Sequence, residues 1–175
     1  MTGVHDDAVA VLSAWAAPTP DQSAIRYALL THLAARPDAC ERACVPGHLT
    51  ASALVVDAAG EHALLTLHPR VGRWVQLGGH IEPEDPTLQA AALREATEES
   101  GIDGLTISAA PVHLDVHPLT CSLGLPTHHL DVRYLVRAPA GAVEVVSEES
   151  VDLRWWPLAE LPDDVAFGRS LDLSG

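Results

Sequence analysis

The chain has 175 residues, enough for one domain with a modest extension and a sizeable buried core. Its 24 acidic residues against 10 basic ones, every one of them Arg, give a formal net charge of −14 and exclude the clustered positive charge that gripping a nucleic-acid backbone requires. A hydrophobic fraction of 47% excludes wholesale disorder, and no apolar run approaches the roughly 20 residues of a membrane-spanning helix.

The opening Met1-Thr2-Gly3-Val4-His5-Asp6-Asp7 has no basic stretch leading into an apolar one, so the expected compartment is the cytoplasm. Ala8, Val11, Leu12 and Trp15 recur at helical spacing, and Pro18 and Pro20 end that run. A second helix starts near Asp21, carries Ile25, Leu29 and Leu33 on one face, and stops before Pro37. The two read as an accessory helical hairpin, free to pack on the main domain or on a second subunit in a homodimer. Cys40, Cys44 and Cys121 are an odd set in such a chain and are expected as reduced thiols. Cys40, Cys44 and His48 also have the spacing of a zinc half-site, but no fourth ligand is evident and plain thiols are preferred.

From Thr50 the pattern turns to strands. Ala51 to Asp57 reads as a buried strand, Ala58-Ala59-Gly60-Glu61 as a turn, and Ala63 to Leu67 as the hairpin partner. Trp74 to Leu77 follows as one strand and runs into Gly78-Gly79. A helix is predicted over 86–100, with Asp85 as N-cap, Pro86 at the first helical position and Gly101 as the left-handed stop. Strands follow at 105–108, 112–117, 129–136 and 153–156, and a short helix at 157–162. Strands flanking a central helix predict an α/β sandwich with a mixed sheet rather than a doubly wound parallel one. The expected division is a helical extension at 1–46, a main domain at 47–165 and a tail at 166–175.

On the 86–100 helix, Glu95, Glu98 and Glu99 are spaced i, i+3 and i+4 and share one face. Three carboxylates so crowded repel unless something positive sits among them, and a hard divalent cation with oxygen ligands meets that need. Ala90, Leu93 and Ala96 supply the apolar side expected to dock on the sheet. Alone, such a trio reads as a solvated helix face. The neighbouring Gly78-Gly79 turn, Arg94 beside Glu95, and Gly101 at the stop favour the metal reading.

Taken together, Arg94, Glu95, Glu98, Glu99, Gly101 and Ile102 resemble the C-terminal half of the Nudix box, G-x5-E-x7-R-E-U-x-E-E-x-G-U, in which U is a bulky apolar residue. Ala96 at the first U position is smaller than usual. The N-terminal half departs by one residue. Counting back from Arg94, the glycine of the box falls on His80 and its first glutamate on Pro86, so Gly79 stands one place early. The role of that first glutamate stays open among Glu82, Glu84 and Asp85. The resemblance extends over about residues 48–162, through the strand hairpin and Trp74 strand before Gly78-Gly79 and through Ser147-Glu148-Glu149-Ser150 leading to Trp155-Trp156-Pro157-Leu158.

The resemblance implies a Nudix-type α/β/α sandwich preceded by the helical hairpin. It also implies a hydrolase using Mg²⁺, with Mn²⁺ as a substitute, to cleave a phosphoanhydride bond. The substrate class is a nucleoside diphosphate linked to another moiety: a nucleotide sugar, a dinucleotide or a nucleoside triphosphate. Glu95, Glu98 and Glu99 are the implied metal ligands, the Gly79 carbonyl a further one, and Arg94 the residue that orients the glutamates. Glu98 is the first choice of general base and Glu149 the alternative from the later loop. Arg70 and Arg73 are candidates for phosphate contacts. His113, Asp115 and His117 alternate along one strand, His129 and Asp131 along the next, and His80 stands beside the box. His80, His117 and His129 are read as substrate contacts or a second metal site, or else as polar positions of a half-exposed sheet. Two other functions compete: a catalytically silent Nudix-fold sensor or scaffold, and a structural Ca²⁺ site on the acidic helix. The complete Arg94, Glu95, Glu98 and Glu99 set speaks against the first, and the lack of an EF-hand-like loop against the second.

Overall fold

The N-terminal segment of the computed structural model, which describes residues 3–69, 72–120, 124–146 and 151–162, forms the two expected helices. These are α1 (Val4–Ala14) and α2 (Pro20–Ala35). Thr19 caps α2 by accepting the Gln22 N–H, with Pro20 at its start. The chain then enters eight strands: β1 (Gly47–Val56), β2 (His62–His68), β3 (Arg73–Val75), β4 (Leu77–His80), β5 (Thr106–Ile107), β6 (His113–Thr120), β7 (Pro126–Arg137) and β8 (Asp152–Pro157). Helix α3 (Leu88–Ser100) lies between β4 and β5, and a short 3-10 turn, Leu158–Glu160, follows β8. No described helix is long and apolar enough to cross a membrane.

The sheet is mixed. β1 and β7 run parallel through its centre, registered from Gly47 opposite His128 to Val56 opposite Arg137. Every residue of β1 is buried because β7 covers one edge while β4 and β2 share the other. The single strand expected over 74–77 is two short strands, β3 pairing with β2 and β4 with β1. Gly78 makes the second pairing possible. It sits at φ 146°, and a Cβ there would stand 2.5 Å from the Ser52 Cα.

Strand alternation divides the sheet into two unlike faces. On one, Leu49 and Ala51 of β1 and Leu130, Val132 and Tyr134 of β7 meet Ala8, Leu12, Leu29 and Leu33 of α1 and α2, with Leu88, Ala91 and Ala92 of α3. The hairpin therefore packs on the sheet of its own chain. Polar contacts hold it there: Gln22 donates to the Leu114 carbonyl and accepts the Leu114 N–H, both across the β6 backbone. Asp7 of α1 accepts the Leu88 N–H and so helps cap α3.

Helix α3 begins two residues later than the sequence suggests. Thr87, not Asp85, is its N-cap, accepting the Ala90 N–H, and Pro86 lies outside the helix. Asp85 is committed elsewhere, to Arg94 and the Glu82 N–H. The docking face is accordingly Leu88, Ala91, Ala92 and Ala96, whereas Ala90 and Leu93 are half-buried. Gly101 ends the helix at φ 65°, as expected.

Because Leu12 is fully buried between hairpin and sheet, Leu12→Ala is expected to cost about 2–5 kcal/mol in urea unfolding. A loss under about 0.5 kcal/mol, the size of a surface effect, would show that the hairpin is not part of the core.

Candidate functional site

The carboxylates of α3 reach the sheet at β4. Glu99 is buried and accepts the Gly78 N–H at 2.8 Å, which ties the end of the helix to β4, the strand in which Gly78 and Gly79 lie instead of forming the expected turn. Glu95 lies against Gly79, where an added Cβ would meet its Oε1 at 2.8 Å. Glu98 is exposed, one turn along from Arg94. The three glutamates that share a face by spacing are thus graded from buried to open along that face.

Arg94 gathers the groups around it. Its Nη1 donates to Glu95 Oε1 and Glu98 Oε2, each at 3.0 Å, and its Nη2 to the His80 carbonyl at 3.0 Å. The Asp85 carboxylate accepts from Nε at 3.1 Å and Nη2 at 2.9 Å, a two-pronged pairing of fixed geometry. Glu82 comes only to 4.0 Å from Nη1 and is exposed, as is Glu84. Of the three acids left open by the inserted residue, Asp85 is therefore the one seated on Arg94. Its bond to Asp85, reinforced by Glu95, holds the guanidinium's pKa above its ordinary value. For Asp85, burial raises the carboxyl, but the bonds from Arg94 and the Glu82 N–H outweigh it and the net direction is down.

The opposite face of the same strands carries the histidines. His80 of β4 lies opposite Thr50, His48 of β1 opposite His129 of β7, and His129 opposite His117 of β6. Ring centroids of His48, His80 and His129 are 5.0–5.1 Å apart in all three pairs, and His117 is 5.4 Å from His129. Burial, then the adjacent His80, His48 and His117, pushes the His129 pKa down to about 3. Burial also lowers His48. The hydrogen bond from His117 Nδ1 to Asp115 at 3.0 Å raises His117. Further along this face, Asp131 accepts the Thr50 and Ser52 hydroxyls and Arg133 Nη2. Asp131 and Arg133 are buried, whereas His80, Asp115, His117 and His129 are partly exposed, so this face is enclosed at its centre and half-exposed around those histidines.

His48 belongs to this group and not to the cysteines. Its Nδ1 meets the Cys44 carbonyl, while Cys40 and Cys44 are free, buried thiols. Burial pushes Cys40 up to about 12 and raises Cys44 as well, so neither is a thiolate. Spacing along the chain suggested the wrong companions for His48; the β1–β7 register supplies the right ones. Arg73 is exposed at the start of β3, opposite His68, in a strand on the outer side of β2. Arg70 and Glu149, with its neighbour Glu148, lie outside the described residues. A hollow of about 420 Å³ between Asp57, His62, Pro139 and Trp155 sits past the far end of β1 and includes none of these groups.

Residues 46–171 match the family model of the NUDIX domain. Among known proteins, the putative mutator protein MutT4 of Mycobacterium tuberculosis is 34% identical over 107 residues, covering 60% of this chain and 42% of that protein. The m7GpppN-mRNA hydrolase NUDT17 of Bos taurus is 34% identical over 107 residues, covering 56% of this chain and 32% of that one. The chain thus spans less than half the length of these relatives. Two solved structures share the fold. The MutT protein of Methanosarcina mazei has a TM-score of 0.52 at 22% identity, over 65% of this chain and 79% of that one. The NUDIX domain of Shewanella oneidensis NrtR, in complex with ADP ribose, has a TM-score of 0.51 at 23% identity, over 68% and 78%.

Since Asp85 has a folded-state pKa below its unfolded value, its contribution to stability is present in full above about 4 and fades as pH falls through the folded value. The stability gap between wild type and Asp85→Asn should hold constant between about pH 6 and 8 and narrow in acid. Urea unfolding as a function of pH reads this directly; a gap that did not narrow would refute the pairing.

Proposed function

The chain belongs to the NUDIX domain family, and from that premise we propose that it is a Mg²⁺-dependent pyrophosphohydrolase acting on a nucleoside diphosphate linked to another moiety. The observation that carries this reading is the carboxylate set itself. Glu95, Glu98 and Glu99 stand together beside Gly78 and Gly79 of β4, organised by Arg94 and Asp85. A binding-only module has no need of all three.

The donor set suits a hard cation. Carboxylate oxygens of Glu95, Glu98 and Glu99, with the Gly79 carbonyl, are oxygen ligands of the kind Mg²⁺ takes, and Mn²⁺ accepts the same set. The space that a Cβ on Gly79 would fill is occupied by the Glu95 carboxylate, which seats that ligand against the backbone. When bound, the metal supplies charge neutralisation for the phosphates and a more acidic attacking water.

The chain's own residues do the rest. Glu98, the open end of the glutamate row, accepts the proton of the water whose oxygen bonds to phosphorus as the bridging P–O bond breaks. Arg94 keeps the carboxylates in place and stays charged throughout, because Asp85 is fixed to two of its nitrogens. The Gly78 N–H holds Glu99 in its ligand orientation. With a net charge of −14, the protein relies on cations to receive a polyanionic substrate. This reading has no role for duplex nucleic acid or membrane. The free thiols Cys40 and Cys44 suit a cytoplasmic setting.

Nucleoside triphosphates, nucleotide sugars, dinucleotides and dinucleoside polyphosphates, each assayed with Mg²⁺ or Mn²⁺, test the reading. At least one should release product, EDTA should abolish turnover, and added Mg²⁺ should restore it. Binding without release in every case would turn the assignment to a nucleotide sensor. Glu98→Gln should lower kcat by about 10²–10⁴-fold with an unchanged unfolding midpoint. Turnover near wild type in that variant would remove Glu98 as the base and move the search to Glu149.

A further inference from the structure

The histidine group on the face of the sheet opposite α3 is not used by the hydrolytic reading. His48, His80 and His129 come from three neighbouring strands, and each offers a ring nitrogen within 4.8 Å of the other two. His48 is 1% exposed. Its Nδ1–H donates to the Cys44 carbonyl at 3.3 Å, which leaves a lone pair on Nε2. That Nε2 is buried with no hydrogen-bond partner, and so is Nε2 of His129. Buried polar atoms left unpaired are costly. A cation held between the rings would satisfy them together.

We propose that His48, His80 and His129 form a binding site for a divalent transition-metal ion of the zinc class, distinct from the glutamate site. Neutral imidazole nitrogen is a ligand for Zn²⁺, Co²⁺, Ni²⁺ or Cu²⁺, whereas Mg²⁺ takes oxygen. A tetrahedral ion about 2.0–2.1 Å from each nitrogen sets the donors about 3.4 Å apart, so the rings draw together on binding. The fixed Nδ1–H of His48 is the arrangement expected of a metal-bound histidine, whose other nitrogen is held by a carbonyl or carboxylate. His117, its Nδ1 held by Asp115 at 3.0 Å and its ring beside His129, is at hand to fill a fourth position. The two sites lie back to back on β4. Gly79 faces Glu95 on one side, and His80 enters the histidine group on the other while its carbonyl receives Arg94.

The test reads metal binding rather than turnover, so its failure is separable from failure of the hydrolase reading. Metal-free full-length chain is titrated with Co²⁺ in excess Mg²⁺, which occupies the oxygen site. One Co²⁺ per chain should bind with the intense visible absorption of a tetrahedral site, and Zn²⁺ should displace it and raise Tm. Since loss of an outer-shell partner already costs about 10–100-fold in affinity, His48→Gln and His129→Gln should each weaken Co²⁺ binding by about 100-fold or more. Glu98→Gln should leave it unchanged. X-ray absorption of the wild-type Zn²⁺ complex needs no variant and should report a nitrogen shell with imidazole scattering. An oxygen-only shell, no tetrahedral Co²⁺ absorption, or binding lost in Glu98→Gln but kept in His129→Gln would each overturn the proposal.

Discussion

One guanidinium organises the site. Arg94 donates to Asp85, Glu95, Glu98 and the His80 carbonyl, and so joins the loop after β4, the helix α3 and the sheet edge at a single point. Without that charge, the acids it gathers would repel one another across a partly buried space. With it, the repulsion becomes a set of charge-assisted bonds of fixed direction. A lysine could not replace it, because an ammonium cannot hold one carboxylate with two nitrogens and still reach a backbone carbonyl and two more carboxylates in one plane.

The fold brings α3 to that point from two directions. Leu88, Ala91, Ala92 and Ala96 settle the helix on the apolar face of the sheet, and Glu99 anchors its last turn to the Gly78 N–H. The N-terminal hairpin fixes the other end, since Asp7 accepts the Leu88 N–H and the hairpin's leucines complete the same hydrophobic cluster. The N-terminal hairpin, far from the glutamates in sequence, therefore serves them in space. An extension that reads as accessory is part of what aims the helix.

The other face of the sheet is divided along its length. Near one end of β1, Leu54, Val56, Ala63 and Leu135 are covered by Leu158 and Leu161 in the segment after β8. Near the other end the same parity of residues becomes His48, Thr50 and Ser52 on β1, with His129, Asp131 and Arg133 on β7. Period-two alternation alone makes such a strand look half-exposed. Here its polar half is buried at His48, Thr50, Ser52, Asp131 and Arg133 and partly exposed at His129, and it holds an ordered network in which Asp131 takes the hydroxyls of Thr50 and Ser52. Polar groups buried in this way are expected to have partners, which is why the unpartnered nitrogens of His48 and His129 stand out.

Local features were legible in the sequence because their causes are local. The i, i+3, i+4 spacing of Glu95, Glu98 and Glu99 and the left-handed stop at Gly101 follow from helix geometry within a few residues. The helix start was misread because Asp85 and Thr87 are both good N-caps by composition, and only Arg94, nine residues on, decides which is free to cap. The companions of His48 were hidden for a stronger reason. Cys44 is four residues away in the chain, whereas His129 is its neighbour only through the parallel pairing of β1 with β7. The amino-acid sequence by itself determined the carboxylate helix, its stop and the α/β class. Tertiary structure alone decided which acid Arg94 holds and which histidines meet, because strand register joins residues that chain spacing keeps far apart.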